Sequence, residues 1–433
     1  MFVRLSSLIL LVLSLNGFLN AQSSVFYNNG AVIGISDDVD VYVDFDLNNN
    51  NTGGLISNAG RLTVKGNFIN SSTVTGGSFA NQPLGRDTGV FNIYGDWENN
   101  QTFIADESTV KLLGSQQHIR GSSVTTFHRL EALQTVGSIK KLDNVDAVVS
   151  HVLVLKNGIE FSTGNNILRI SGTDPNAIIY DDDAFVSSTT NGRLSRATAS
   201  VSDYYFPLGS SVSGTPTIRP LMIKPSSAAQ ASFDACFVHN DPTTDGLDVN
   251  IKAPNIEFVN NRFYHLIHQT SGNIQPAEMT IFYKTAADGN FSSIGRWQGQ
   301  PRWEDLIADL SQAASPYDRI TKSQWSSSSA QAHALITNRN IKEYEFPTVF
   351  SPNNDGQNDR FGLVQGSVAT LLSLKIYNRW GQLVFDKEKN NADFWDGTYN
   401  GASQPQGTYM MHASLKLLNG EIKNEVRPVT LIY

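Results

Sequence analysis

The side chains able to do chemistry in this 433-residue chain gather in a few places. The richest runs from Phe350 to Asp359, Phe-Ser-Pro-Asn-Asn-Asp-Gly-Gln-Asn-Asp. Asn353, Asp355, Asn358 and Asp359 would set several oxygens around one cation, because calcium loops alternate Asp and Asn around a sharp glycine turn. No Glu stands where such a loop needs its bidentate ligand. Asn and Asp also cap their own backbone in Asx turns, with Gly356 at positive φ. A self-capped turn is therefore expected, with calcium as its rival. Tyr180-Asp-Asp-Asp183 collects carboxylates that would splay into solvent from a turn. The competing role is an acid–base pair for glycoside hydrolysis. His265 and His268 are three apart, which on a strand sends the rings to opposite faces and disfavours a shared zinc. Cys236, the sole cysteine, sits in apolar Ser-Phe-Asp-Ala-Cys-Phe-Val and reads as a structural thiol. Tyr204, Tyr205, Trp297 and Trp303 would form a sugar-stacking platform or fill a sandwich core, and the core is expected. His-Glu-x-x-His, Gly-x-Ser-x-Gly and phosphate-cradling loops are missing from the sequence. No catalytic residue, metal or cofactor is assigned, and the chain is expected not to be an enzyme.

The elements that must position these groups are strands. Runs of four to eight residues alternate apolar and polar and stop at Gly, Asn, Asp or Pro. Trp303 to Ala314 is the clearest helical candidate. Over 24–185 a pattern of apolar, polar, apolar, any, Gly recurs. It appears at Leu62-Thr-Val-Lys-Gly66, Phe91-Asn-Ile-Tyr-Gly95, Val110-Lys-Leu-Leu-Gly114 and Leu168-Arg-Ile-Ser-Gly172. A unit this small cannot bury its own face, but stacked coils can. Residues 22–189 are read as a parallel β-helix-like or irregular β region, with Gln116-Gln117 as a turn. An antiparallel meander is the competitor. Residues 190–340 alternate like an antiparallel β-sandwich. After a polar linker, 346–433 has the size of an immunoglobulin-like β-sandwich. The fold class is all-β. Trp380 and Trp395 are expected to pack in its core or turns.

Composition narrows the partners. The formal charge of −8 argues against nucleic acid, which needs a basic stripe. One cysteine forbids an intrachain disulfide. Arg4, the apolar run Leu8 to Leu15 and Ala21 make residues 1–21 look like a secretory signal peptide. That run is too short to span a bilayer, and no other segment is a membrane-helix candidate.

The C-terminal motifs carry a family resemblance. In order they are Phe350, Pro352, Asn353, Asp355, Gly356, Asn358 and Asp359; Tyr377-Asn378-Arg379-Trp380-Gly381; Trp395-Asp396-Gly397; and Gly407 with Tyr409. This succession resembles the gliding-motility-associated C-terminal domain, the type B sorting domain of the type IX secretion system. The resemblance covers 346–433. It implies that the outer-membrane translocon of a Gram-negative cell of the Bacteroidota type recognises this part. It implies export to the cell surface or medium and no catalysis. The stretch Val110 to Phe161 also resembles β-helical passenger regions of bacterial surface proteins. The expected function is therefore a secreted or surface adhesin-like protein that meets a surface, glycan or protein partner. A polysaccharide-degrading enzyme with dispersed carboxylates and a structural spacer are the alternatives.

Overall fold

The computed structural model describes residues 24–50, 53–76, 89–133, 137–298, 302–308, 310–312, 316–339, 344–364, 367, 369–417 and 420–433. The expected leader, 1–21, lies outside them. The protein is nearly all β, with 54% of residues in strands and 3% in helix. It divides into two compact units, 1–251 with 259–336, and 252–258 with 337–433.

The first unit begins as a parallel β-solenoid. Its first coil consists of Val25–Asn29, Val32–Ile35 and Asp40–Val43, one strand on each of three faces. Each pairs in parallel with the equivalent strand one coil later, Val25 with Asp46, Val32 with Leu55 and Asp40 with Arg61. Alternation along the strands turns every second side chain inward. Stacking then makes columns. Leu47, Phe68, Trp97, Ile119 and Leu142 lie in register on the first face. Leu62, Phe91, Val110, Leu130 and Leu153 do so on the third. Phe68 and Trp97 stack with centroids 4.6 Å apart. Further along, Thr125–Ala132 and Ala147–Leu155 pair with each other over their length, with one register shift between Phe127 and Arg129.

The repeated glycine is needed for close approach between coils. A Cβ on Gly66 would lie 2.2 Å from Asp46 Oδ1, and one on Gly95 would lie 2.4 Å from the Gly66 carbonyl carbon. None of Gly66, Gly95 and Gly114 has a positive φ. The fourth copy of the pattern occupies a different column. Ile167–Ile170 pairs with Ala147 to Val149, whereas Val110 aligns with Leu130.

A ladder of buried asparagines also crosses the coils. Asn28 Nδ2 donates to Asn49 Oδ1 at 2.8 Å, Asn49 to Asn70 at 3.2 Å and Asn70 to Asn99 at 2.8 Å. A second ladder runs at a corner. The side-chain oxygens of Asp46, Asn67 and Asp96 accept the backbone N–H of Asn67, Asp96 and His118 in the following coil. Gln117 belongs to the strand Gln116–Arg120, not to a turn. It is buried, donates to the carbonyls of Ile93 and Gly95, and accepts from Gly114 N–H and from buried Lys140.

Arg193–Thr198 joins the two architectures. It pairs in parallel with Ile167–Ile170 and antiparallel with Ala231–Val238. The sheet thus continues past residue 190 into Tyr264–Ser271, Gln331–Asn338, Ser293–Gln298 and Arg302–Asp305, all antiparallel. A second antiparallel sheet holds Tyr204–Phe206, Leu221–Pro225, Ala277–Tyr283, Asp318–Trp325 and Leu310–Gln312. One apolar cluster extends from Ile35 to Leu335. The helix expected over Trp303 to Ala314 does not form in the described residues. Arg302–Asp305 instead pairs with Ser293–Gln298, and Trp303 is buried with its ring 5.6 Å from that of Trp297. Strand pairing and burial of an indole outweigh a weak local preference.

The second unit has its own core. Its main sheet orders Val349–Phe350, Ile422–Leu431, Gly407–Lys416, Thr370–Tyr377 and Leu383–Asp386, antiparallel except for the first pair. Phe361–Gly362 pairs with Phe394–Trp395, and Thr398–Tyr399 with Ala402–Ser403. The last strand of this sheet, Ile422–Leu431, pairs with Gly407–Lys416 along its whole length.

Candidate functional site

In the first unit the chemistry-bearing side chains hold the fold. Asp181 pairs with Lys156 at 2.6 Å and accepts Asn157 N–H at 2.9 Å. That Lys156 contact holds its carboxyl below the usual range. Asp183 accepts Gly158 N–H at 3.1 Å. Two carboxylates of the acidic run therefore pin a turn one coil earlier. His265 is buried and His268 half-buried, three residues along the same strand. His265 Nε2 meets the Arg219 carbonyl at 3.0 Å. His333 accepts from Trp325 Nε1 at 3.0 Å, which places its own proton on Nδ1 facing the Gln331 carbonyl. Burial lowers both imidazoles, His265 to about 4 and His333 to about 3, with Arg296 adding to the second. Arg219 makes a buried bidentate pair with Asp288, at 2.6 and 2.5 Å. Burial pushes the Cys236 thiol up to about 11. Tyr204 and Trp303 are in the core, so no platform forms from all four aromatics. Among the described residues no three His, Cys, Asp or Glu converge as a metal cluster.

The C-terminal motifs are brought together. Phe350, Phe361, Trp395 and Tyr409 form one aromatic core. Phe350 lies 5.7 Å from Phe361 and 5.2 Å from Trp395, which is 4.9 Å from Tyr409. Trp395 Nε1 donates to the Thr398 carbonyl at 2.8 Å, and the Tyr409 hydroxyl to that of Pro405 at 2.7 Å. Asp396 accepts from the Thr398 N–H and hydroxyl, which sets Gly397 at φ 79°. A Cβ there would lie 2.8 Å from Pro352 Cγ, so Gly397 lets the third motif close on the first. Gly407 opens the strand that carries Tyr409.

The loop 353–359 is self-capped. Asp359 accepts from Asn354 N–H at 2.6 Å and from Gly356 N–H at 2.8 Å. Asp355 accepts from Gln357 N–H at 2.8 Å, and Asn353 from Asp355 N–H at 3.1 Å. Asn354, Gly356 and Asn358 all take positive φ. Side-chain oxygens of Asn353, Asp355 and Asp359, three of the four calcium candidates, thus face backbone donors. Asn378 builds the neighbouring turn. Its Oδ1 accepts from Trp380 N–H and Gln382 N–H, each at 3.0 Å, and Gly381 sits at φ 77°.

These four motifs therefore close one aromatic core and two backbone-capped turns. Residues 344–426 match the CHU_C type IX secretion signal domain. The match begins two residues before the expected border and contains all four motifs. The secretion signal domain marks the chain for export by the type IX system to the cell surface or extracellular space, and makes that machinery its partner. No curated protein matches the chain. No helix among the described residues is long and apolar enough to cross a membrane.

One residue of the secretion signal domain departs from expectation. Trp395 is buried, but Trp380 is 82% exposed at the tip of its turn. Asn378 and Gly381 satisfy that turn through the backbone, so the indole has no packing task there. The sequence gives no local sign of this, because a tryptophan in a hairpin reads as core. The asparagine ladder escaped the sequence reading too. Its only trace is the recurrence of Asn70 and Asn99 at the end of matching repeats.

Proposed function

We propose that residues 22–340 are a non-enzymatic cargo that works outside the cell by adhesion, binding a surface, a glycan or a partner protein. The supporting observation is where the reactive side chains are spent. Asp181, Asp183, His265, His333 and Arg219 all bond to the fold itself. What the solenoid offers outward is a set of cross-coil polar ladders. Arg120 bridges Asp96 at 3.1 Å and Glu98 at 3.0 Å, His118 meets Asp143 at 3.4 Å, and Lys65 lies over the Tyr94 ring at 3.5 Å. Repeated rows of this kind suit multivalent, shape-based contact. Residues 1–21 act as the leader that takes the chain across the inner membrane.

The test is a glycan and host-surface binding panel run with the purified protein, alongside assays for release of reducing sugar. Binding without turnover supports the adhesin. Turnover that disappears in Asp182→Ala, an exposed member of the acidic run, overturns it in favour of a hydrolase or lyase. Neither binding nor turnover leaves a spacer.

A further inference from the structure

We propose that the hairpin tip Asn378–Gly381 is the grip by which the type IX machinery holds this domain, with Trp380 as its anchor. The inference rests on the secretion-signal reading of 344–426 and adds where that signal is touched. The tip is built to hold its shape. Gly381 N–H bonds the Asn378 carbonyl at 2.9 Å, Asn378 N–H bonds the Gln382 carbonyl at 2.9 Å, and Asn378 Nδ2 reaches Gln382 Oε1 at 3.0 Å. A tryptophan left 82% exposed on so fixed a turn keeps a large apolar surface in water with no folding gain. The core beneath is already closed by Phe350, Phe361, Trp395 and Tyr409.

The neighbours of Trp380 state the chemistry of its partner. Arg379 lies 5.5 Å from the indole ring and makes no ion pair among the described residues. The outward row beside the tip is Tyr377, Met410 and Pro428, aligned by strand register, with exposed Val426 one step along. The Tyr377 ring lies 4.9 Å from that of His412, tilted by 57°. An exposed Trp and Arg beside a half-buried Tyr on a preorganised element are of the residue types that dominate binding energy at protein interfaces. The matching acceptor is an apolar slot on the secretion machinery, with a carboxylate on its rim for Arg379.

The test expresses the full chain in a host with an active type IX system. The surface plus extracellular fraction is measured against the periplasmic one. Expected results are a drop of about tenfold or more for Trp380→Ala, partial recovery for Trp380→Phe, and a loss for Arg379→Glu. The purified Trp380→Ala protein should melt as the parent does. Export of Trp380→Ala at the parental yield, while deletion of 344–433 blocks export, overturns the grip and leaves the sorting domain standing. Export that survives the deletion overturns both. A lowered melting temperature in Trp380→Ala also counts against the grip, because it would give the ring a structural task.

Discussion

Asparagine does opposite work in the two units. In the solenoid Asn28, Asn49, Asn70 and Asn99 are buried, and each bonds its equivalent one coil away. In the C-terminal unit Asn353 and Asn378 lie on turns and bond residues two to four positions away. The first use ties together segments far apart in sequence and is sheltered from water. The second shapes a few residues in place and competes with water throughout. A buried amide that loses its partner is left with an unmet desolvation cost, whereas an exposed one finds solvent. The stability of the solenoid should therefore depend on side chains that bond or stack between coils. The C-terminal turns should tolerate the loss of theirs.

The sharpest contrast is between the tryptophans. Trp97 stacks on Phe68, lies 5.4 Å from Phe127 and donates to Thr125 Oγ1 at 3.1 Å. Trp97→Ala should leave a cavity crossing three coils and cost about 5 kcal/mol. Hydrogen exchange should accelerate in peptides from coils on both sides of the lesion. Exchange confined to residues 97–99 would mean that the coils are stabilised independently.

Acid should separate the units next. His265 and His333 are buried and neutral, lowered from 6.5 to about 4 and about 3. The unfolded chain takes up a proton on each as pH falls through about 6.5, while the folded one does not. Stability from this source is complete above pH 6.5 and declines as pH falls from 6.5 towards 4. At pH 5 the two together should cost about 4 kcal/mol relative to pH 7.5. His412, the histidine of the C-terminal unit, is exposed. Urea melts followed by peptide-resolved exchange should show the first unit weakening while the second holds. His333→Gln should flatten part of the slope, and an unchanged slope would remove His333 as its source.

Asn70→Ala tests the ladder directly. Asn70 donates to Asn99 Oδ1 and the Thr102 carbonyl and accepts from Asn49 Nδ2 and Ser72 N–H. Its loss strands several buried partners and should cost about 3 kcal/mol in a urea melt. A cost below about 1 kcal/mol would make the ladder incidental.

What could be read from the sequence follows the same division. Leu62/Val64 and Phe91/Ile93 announced strands because alternation is a local property, and the self-capped 353–359 loop was legible because its bonds span only a few residues. Apart from the Gly114 N–H bonded to Gln117, the partners of Gln117 and Lys140 lie 22 to 26 positions away, so the glutamine pair reads as a turn and the buried lysine goes unnoticed. Trp303-Glu-Asp-Leu-Ile-Ala-Asp-Leu310 meets helical spacing, but the strand that captures it, Ser293–Gln298, is visible only once the sheet exists. At the candidate site the motif residues were legible by type. The outward position of Trp380 was not, because it depends on Asn378 completing the turn without it.

Asn378→Ala should show the smallest effect and marks the other pole of the comparison. It removes the side-chain bonds to Trp380 N–H, Gln382 N–H and Gln382 Oε1, all exposed and all replaceable by water. The expected loss is about 1 kcal/mol, within the range of a lost cap. Exchange should change only at 378–383, because nothing beyond the turn depends on that amide. The same variant also bears on export. A loosened tip still carries Trp380 but no longer holds it in place, so export should fall less than in Trp380→Ala while the melt barely moves. A destabilisation as large as that of Asn70→Ala would erase the distinction between the two uses of asparagine. It would mean that the hairpin turn supports the sheet behind it as strongly as the ladder supports its coils.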